Sequence, residues 1–388
     1  MVSFSKRIPQ SLTSNRLAEA KARVGEIPLD LSVSNPTVCE FPYPDDILSQ
    51  LSSPNGLHYS PDPMGPHQGR KAISQTYMDR RVAVDPGNII LTASTSEAYS
   101  LLFKLLCDPG DTILVPTPSY PLFDQLSRLD GLATHPLPLD PDDDWRPVLG
   151  AIDDAPENTR AVIVVHPNNP TGSYIHPESA EALASKCRDR GWALIADEVF
   201  LPFPLDGGPG ARSSFAARKD ILTFTLGGLS KSAGLPQLKL AWIAVSGPDE
   251  LADEALDRLS YIADAYLSVS TPVALAFPRI LAASETVRDA IAARCRSNLA
   301  ILRELAASQP AVTVPPVGGG WSALVRLPAV LDDEEIAIRL LTERGVAVQP
   351  GFLFDLPSDG TLVLSLLTPE PIWRKGLEEI FAAVRSWL

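Results

Sequence analysis

The sequence contains little of what marks secreted, membrane-spanning or metal-binding proteins. It has four cysteines in 388 residues, Cys39, Cys107, Cys187 and Cys295. They lie far apart and form no CxxC or Cys/His ligand spacing, so neither a disulfide framework nor a zinc site is indicated. No uninterrupted apolar stretch approaches the roughly 18 residues of a membrane span, and the N-terminal residues lack the apolar core of a signal peptide. These absences favour a cytoplasmic protein.

Basic residues are also scarce relative to acidic ones. The chain has 33 Lys and Arg against 47 Asp and Glu, which gives a formal net charge of −14. This charge argues against nucleic acid or an anionic membrane as a partner, although it leaves room for a local phosphate site. With 45% hydrophobic residues, the chain is long enough for two domains. We predict an N-terminal arm that forms part of a small domain (residues 1–40), a large domain (41–275) and a small C-terminal domain (276–388).

The pattern of apolar residues predicts an α/β fold. From Asn88 to about residue 245, short apolar strands alternate with helical stretches, which is typical of a mostly parallel sheet covered by helices. Long helical stretches at about 248–267 and 285–308 lead into short strands and a last helix, which predicts a smaller α+β unit. Residues 1–40 indicate an extended, mostly irregular arm.

Polar and aromatic side chains recur at the predicted carboxyl ends of the strands, the edge where open parallel sheets bind ligands. Thr95 and Ser96 precede a helix, and the alternatives for this turn are anion binding and ordinary N-capping. Tyr120 follows the next strand in a Pro-rich turn, where the alternatives are stacking on a planar ring and simple packing. Asn169 lies in the turn NNPTG after a third strand.

Two charged residues define the chemistry expected at this edge. Asp197 ends the apolar run WALIAD, and a buried carboxylate is costly unless it meets a cation, so a cationic heterocycle would suit it. Lys231 lies in LGGLSKSAG, where a partly dry site would make its amine nucleophilic. The alternative for Lys231 is a solvated loop lysine. The anion-binding turn, aromatic face, asparagine, carboxylate and lysine together describe a pyridoxal phosphate pocket.

Four segments in a fixed order connect this pocket with a known family. They are NNPTG, ADEVF, LSK and GPDE. With them, the chain from about residue 30 to its end resembles the class I/II aminotransferases, which are fold-type I pyridoxal-phosphate enzymes. The resemblance implies a three-layer α/β/α large domain with a mostly parallel seven-stranded sheet that binds the cofactor, plus a smaller α+β C-terminal domain.

The resemblance also implies roles for individual residues. Lys231 would form the Schiff base with pyridoxal 5'-phosphate, Asp197 would pair with the pyridinium nitrogen, and Asn169 would hydrogen-bond the phenolic oxygen of the ring. Tyr120 would stack on the ring. The remaining matches are Thr95, Ser96, Ser230 and Lys239 at the phosphate, Tyr59 at the phosphate of the neighbouring subunit, Phe200 beside the ring, and Ser34, Val363 and Trp321 in the substrate pocket. The match at Tyr59 implies a homodimer with sites at its interface.

Two departures from the family pattern concern the cofactor. Lys239 stands where an arginine is expected, and Gly228 stands where a serine is expected. An ammonium cannot form the bidentate fork of a guanidinium, so we expect a looser grip on the phosphate. Phe200 stands where a tyrosine is usual, which removes a hydrogen-bond donor from the phenolic oxygen.

The third departure concerns the substrate. Val363 occupies the position of the arginine that binds the substrate carboxylate in the family, and the strand GTLVLSLLTP contains no arginine. Either another basic group binds the carboxylate, with Lys6, Arg7 and Arg326 as candidates, or the amine substrate has an apolar group there. We expect an unusual amino donor.

The leading interpretation is a pyridoxal-phosphate-dependent aminotransferase that moves an amino group between an amino donor and a keto acid or carbonyl acceptor. A lyase or decarboxylase on the same fold is one alternative, because a fold does not determine a reaction. A non-catalytic protein that binds pyridoxal phosphate is the other. The retained Lys231 argues against this last alternative.

Overall fold

The computed structural model describes residues 3–9, 11–211, 213–328, 331–357 and 359–387. Within these ranges there are eleven α-helices: α1 Arg16–Val24, α2 His67–Met78, α3 Thr95–Leu106, α4 Phe123–Asp130, α5 Pro177–Arg190, α6 Leu229–Ser232, α7 Asp249–Tyr266, α8 Thr271–Ala283, α9 Glu285–Ala306, α10 Asp333–Arg344 and α11 Glu370–Trp387.

The same ranges contain thirteen strands: β1 Leu29–Asp30, β2 Ile89–Thr92, β3 Thr112–Thr117, β4 Ala133–Asp140, β5 Arg146–Pro147, β6 Thr159–Val165, β7 Ala193–Asp197, β8 Thr223–Gly228, β9 Ala241–Ser246, β10 Ser322–Arg326, β11 Val346–Ala347, β12 Gln349–Pro350 and β13 Thr361–Ser365.

The large sheet has eight strands in the order β2-β9-β8-β7-β6-β3-β4-β5. Six of them run parallel, whereas β9 is antiparallel to both of its neighbours and β5 is antiparallel to β4. The mostly parallel sheet is confirmed, but the expected number of seven strands is corrected to eight. The additional strand, β5, has only two residues, too few to leave a periodic pattern in the sequence.

Helices cover both faces of the large sheet because successive strand residues point to opposite faces and both sets are apolar. One face packs against α3 and α7 in a core that includes Ile90, Leu102, Ile163, Ile195, Phe224, Ile243 and Leu259. The opposite face packs against α5 at one end, through Val164, Leu183 and Leu194. Its other end packs against α2 and α8, through Ile73, Trp242 and Phe277. This arrangement confirms the three-layer prediction and leaves the carboxyl ends of the strands open as a ligand-binding edge.

A smaller unit combines the C-terminal elements with the N-terminal segment. Its antiparallel sheet has the order β10-β13-β12, and β1 pairs in parallel with β11. Leu17, Ala20 and Leu31 are buried in the same core as residues of α9, α10 and α11. The expectation of an irregular arm is wrong for α1, which begins after Asn15, whose Oδ1 accepts a hydrogen bond from the Ala18 N–H at 2.7 Å.

The helices predicted after the large sheet are present as α7 and α9. Between them lies α8, which the sequence pattern did not indicate. The predicted boundary between the large and the C-terminal domain, at residue 275, falls within this helix. The domain boundaries stay predictions. No single helix of the described residues has the length and composition to cross a membrane; only the bent pair of α7 and α8 meets those criteria together.

Candidate active site

The carboxyl ends of the central strands surround a cavity of about 260 Å³. Segments that follow β2, β3, β6, β7 and β8 contribute its walls, as expected for an open parallel sheet. The polar and aromatic residues that line it are Ser94, Thr95, Ser96, Tyr120, Phe123, Asn169, Asp197, Phe200, Ser230 and Lys231. Seven of the residues predicted for a single pocket, spread over more than 130 positions of the chain, are therefore brought together with Lys231.

Lys231 lies in the single-turn helix α6, directly after the edge of the sheet at Gly228. The side chain is half-buried, and its Nζ lies 4.8 Å from the ring centroid of Trp321 and 5.2 Å from that of Phe200. Burial lowers the pKa of the Lys231 amine to about 8, while the charge of Asp197 acts in the opposite direction. A substantial fraction of this amine is thus uncharged and nucleophilic near neutral pH.

Asp197 ends β7 and is buried. Its Oδ2 accepts a hydrogen bond from the Tyr99 hydroxyl at 2.9 Å, and its Oδ1 accepts one from the Val199 N–H at 3.1 Å. Burial raises the pKa of Asp197, whereas these two hydrogen bonds and the charge of Lys231 lower it. The effect of burial is the largest, so the pKa lies above the usual value of an aspartate. The carboxylate is therefore oriented and lacks full charge compensation, which suits a cationic nitrogen placed in the cavity.

Tyr99 is a site residue that the sequence interpretation missed. It lies in the second turn of α3 and is buried against Phe103 and Phe123. In the sequence it is one more apolar position of an amphipathic helix. Only the packing of α3 on the large sheet brings its hydroxyl to Asp197, 98 positions away.

Asn169 follows β6 and lines the cavity. The Ser322 hydroxyl, at the start of β10, donates a long hydrogen bond of 3.4 Å to Asn169 Oδ1. The amide nitrogen of Asn169 donates to no protein group among the described residues and stays available to an oxygen in the cavity. Ser322 gave no indication of this contact in the sequence.

The N-terminus of α3 forms one end of the cavity, at Thr95 and Ser96. Ser94 caps the helix by accepting a hydrogen bond from the Glu97 N–H at 3.1 Å, so the turn is also an ordinary N-cap. Free N–H groups and hydroxyls at a helix N-terminus suit a phosphate. Ser230 adds a third hydroxyl.

Several predicted residues lie outside the cavity wall. Lys239 is exposed, with a left-handed backbone (φ 51°), between the lining residues Pro236 and Ala241. Tyr59 is 69% exposed, and Ser34 is also exposed. Trp321 is buried and packs behind two lining residues, Lys231 and Phe200. Val363 is buried in an apolar cluster described below. The roles assigned to these residues stay predictions.

The residues present fit pyridoxal phosphate. One end of the cavity offers helix N–H groups and hydroxyls for a phosphate, and Tyr120 and Phe200 offer aromatic faces for a ring. The opposite wall places a buried carboxylate with a raised pKa and an amine with a lowered pKa beside each other. The α/β fold and this set of groups define a fold-type I pyridoxal-phosphate enzyme.

Comparison with known proteins identifies the family. The model of the aminotransferase class I and II family matches residues 27–372, and the chain therefore belongs to that family. Its cofactor is pyridoxal 5'-phosphate and its activity is that of an aminotransferase. The lyase, decarboxylase and non-catalytic alternatives are not favoured.

The relatives are distant but cover most of the chain. Glutamate-pyruvate aminotransferase AlaA of Haemophilus influenzae is 27% identical over 90% of this chain and 88% of its own length. The alanine aminotransferase of Mycobacterium tuberculosis is 27% identical over 93% of this chain and 85% of its own length. A solved aminotransferase from Escherichia coli has a TM-score of 0.86 at 24% identity, covering 99% of this chain and 98% of its own, which shows the same fold.

The exposed Lys239 leads to a prediction about cofactor retention. We expect Lys239→Arg to slow the loss of pyridoxal phosphate during dialysis against phosphate buffer by several-fold, on the order of 1 kcal/mol, because a guanidinium can form a bidentate contact. A serine at position 228 is a poor alternative, since a Cβ there would lie 3.1 Å from the Ala241 Cβ. Lys375→Arg, on the exposed face of α11, is the matched control. Equal half-times of cofactor loss for the wild type, Lys239→Arg and Lys375→Arg would contradict the prediction.

Proposed function

We propose that this aminotransferase exchanges amino groups at Lys231 with substrates that carry no carboxylate on the reacting carbon. The observation that supports the reaction is one cavity that holds the half-buried Lys231, whose amine has a pKa lowered by burial, and the buried Asp197, beside Asn169 and Tyr120. The observation that supports the substrate is the surroundings of Val363.

Each residue of the site has a task in the reaction. When bound, pyridoxal phosphate supplies an electron-withdrawing ring that acidifies the carbon next to the substrate nitrogen. Asp197, held by Tyr99, would keep a proton on the ring nitrogen, and Asn169 would orient the ring through its amide. The Lys231 Nζ, with a pKa of about 8, is suited both to bind the carbonyl and to take and return the proton at the reacting carbon.

Val363 has one polar neighbour across the sheet, Gln349 of β12, whose amide nitrogen donates a hydrogen bond to the Ser32 carbonyl at 3.1 Å. Val363 lies opposite Leu324 in the antiparallel pair of β10 and β13. Together with Leu139, Trp145 and Phe354 these residues form a buried apolar cluster. A carboxylate placed against these apolar side chains would lose its hydration, which is strongly unfavourable unless a charged partner reaches it.

None of the basic residues suggested from the sequence, Lys6, Arg7 and Arg326, lines the catalytic cavity. Arg326 lies four residues along β10 from Ser322, about 13 Å away at 3.3 Å per residue, and its guanidinium lies 5.7 Å from the Trp145 ring centroid. Arg7 donates a hydrogen bond to the Leu129 carbonyl at 3.1 Å, on the exposed surface. Among the described residues that line the catalytic cavity, Lys231 is the sole cation.

A homodimer is part of the proposal. Leu57 and Tyr59 are 89% and 69% exposed in one loop, and such neighbouring apolar side chains favour a covered surface. In sedimentation at micromolar concentration, we expect twice the chain mass of 41.7 kDa, and we expect Leu57→Asp to shift the population towards monomer. Tyr59→Phe should stay dimeric and lose cofactor faster, because it removes only the hydroxyl. If the wild-type protein sedimented with the mass of a single chain, the proposed homodimer would be contradicted.

Donor specificity tests the proposed substrate class. Pentylamine and norleucine differ only by the carboxylate on the reacting carbon. We expect pentylamine to convert the bound cofactor to its amine form, followed by absorbance and by mass spectrometry of the aldehyde released, at least about tenfold more efficiently than norleucine. Lys231→Ala should abolish conversion by both. A clear preference for norleucine would show that the site does recognise a carboxylate on the reacting carbon. It would refute the proposed substrate class but not the aminotransferase activity.

A further inference from the structure

Two aromatic rings, those of Trp321 and Phe200, form a corner around the amine of Lys231. The Lys231 Nζ lies 4.8 Å from the ring centroid of Trp321 and 5.2 Å from that of Phe200. The two centroids are 5.4 Å apart, and the ring planes meet at 74°. An aromatic face attracts a cation within about 6 Å of its centroid. The amine of Lys231 is therefore within reach of two faces that are nearly perpendicular to each other.

The two rings come from different units of the chain. Phe200 follows β7 at the edge of the large sheet, whereas Trp321 directly precedes β10 of the smaller unit. Gly320 brings the units together, because its N–H donates a hydrogen bond to the Phe203 carbonyl at 2.9 Å. Its φ of 96° is in the left-handed region, which glycine adopts at low cost. This turn delivers the indole of Trp321 to the amine of Lys231.

The environment of Trp321 gives its ring face one polar contact. The side chain is buried, and its indole N–H has no hydrogen-bond partner among the described residues. A buried indole usually has such a partner, so hydrogen bonding does not account for an indole at this position. The ring packs against Phe200 and Phe203, and Lys231 is the one cation over it among the described residues.

Opposing effects act on the charge of Lys231. Burial disfavours the ammonium form and lowers the pKa of the amine to about 8, while the negative charge of Asp197 raises the pKa. Aromatic faces carry the negative end of the ring quadrupole, so they also favour the ammonium form. The corner thus acts in the same direction as Asp197, and against burial.

Two other titratable groups on neighbouring segments do not supply this charge. Tyr120 lines the same cavity, and burial raises the pKa of its hydroxyl, which keeps it neutral. The Glu198 carboxylate accepts hydrogen bonds from the Ser214 hydroxyl and the Phe215 N–H, both at 2.7 Å. These contacts engage both of its oxygens on a different segment. Asp197 and the two rings are therefore the groups that stabilise the ammonium form of Lys231.

We propose that Trp321 and Phe200 are positioning residues that hold the Lys231 ammonium during proton transfer. The inference rests on the proposed function, in which Lys231 takes and returns the proton at the reacting carbon. The proton moves from that carbon to the Nζ lone pair, and the electron pair of the broken C–H bond passes towards the cofactor. The resulting ammonium is held by the ring faces without a hydrogen bond, so its N–H groups stay free to return the proton.

An attractive corner and a corner that merely excludes water predict opposite effects of removing a ring. If the rings only exclude water, a leucine in place of either one admits water, and the pKa of Lys231 should rise towards the ordinary value of a lysine. If the faces attract the ammonium, the same substitution should lower the pKa. We expect a fall of about half a unit to one unit for each ring removed.

The pKa of Lys231 is measured in the full-length protein with the bound cofactor in its amine form, in which Lys231 is free. Acetic anhydride is applied across a pH series, and acetylation of the Lys231 peptide is followed by mass spectrometry. Phe200→Leu and Trp321→Leu each remove one face and should lower the pKa. Trp321→Phe retains a smaller face and should lower it less. Phe200→Leu and Trp321→Phe change little volume, so the test does not depend on the folding of Trp321→Leu.

Phe203→Leu is the matched control. Phe203 is buried and its ring centroid lies 5.0 Å from that of Trp321, so this variant removes a ring from the same cluster without removing a face over Lys231. The pKa of Lys231 should stay unchanged in it. A second readout is the rate at saturating pentylamine in the holoenzyme. In Trp321→Phe its basic limb should move to lower pH while the half-saturating concentration is unchanged, because Trp321 does not line the cavity.

The outcomes separate this inference from the function on which it rests. A pKa that rises or stays unchanged in the Phe200 and Trp321 variants, or falls equally in Phe203→Leu, would overturn the role of the corner, while conversion of pentylamine upheld the proposed function. Conversion that survives in Lys231→Ala would refute the proposed function and this inference with it. A fall confined to the variants that remove a face over Lys231 would establish the corner.

Discussion

The site depends on the burial of one carboxylate, Asp197, at the carboxyl end of β7. A carboxylate in that position destabilises the fold unless it is hydrogen-bonded and meets a cation. Tyr99 and the Val199 N–H supply the hydrogen bonds, and the cavity leaves room for a cationic ring nitrogen. The same dry environment lowers the pKa of Lys231 to about 8. The burial of this part of the cavity therefore accounts for two features at once. It leaves the Asp197 carboxylate in need of a cation such as a pyridinium nitrogen, and it makes the Lys231 amine more nucleophilic.

The residues at the strand ends could be predicted because strand ends are local features. Asp197, Asn169 and Lys231 each follow an apolar run, and a parallel sheet brings such positions to one edge. Tyr99 could not be predicted in the same way, since its hydroxyl reaches Asp197 through the packing of a helix on a sheet. Ser322 belongs to a different unit of the chain, and only the contact between the two units brings it to Asn169.

The fold shows the same division between local and non-local information. The alternation of strands and helices was sufficient to predict a mostly parallel sheet covered by helices, because both sheet faces are buried and the helices are long. The two-residue strand β5 and the helix α1 were missed, since the first is too short for a pattern and the second has only two buried positions, Leu17 and Ala20. Yet β5 is what places Trp145 against Val363 and closes the apolar cluster.

Substrate recognition is where this chain differs most from the pattern of its family. The apolar cluster at Val363 is the basis for the proposal that donors without a carboxylate on the reacting carbon are preferred. The formal net charge of −14 would also favour the approach of cations at low ionic strength. The roles proposed for Lys231 and Asp197 are compatible with such a change, because they concern the cofactor and the reacting carbon alone.

The most direct test of the account is to find which lysine carries the cofactor, and at what pH. The apoprotein is incubated with pyridoxal phosphate across a pH series, the adduct is reduced with borohydride, and the labelled peptides are mapped by mass spectrometry. We predict the added mass on the peptide that contains Lys231, with the extent of labelling rising through a pH of about 8 as the buried amine loses its proton. Labelling spread over exposed lysines, or a Lys231 that reacts only near the ordinary pKa of lysine, would contradict the account.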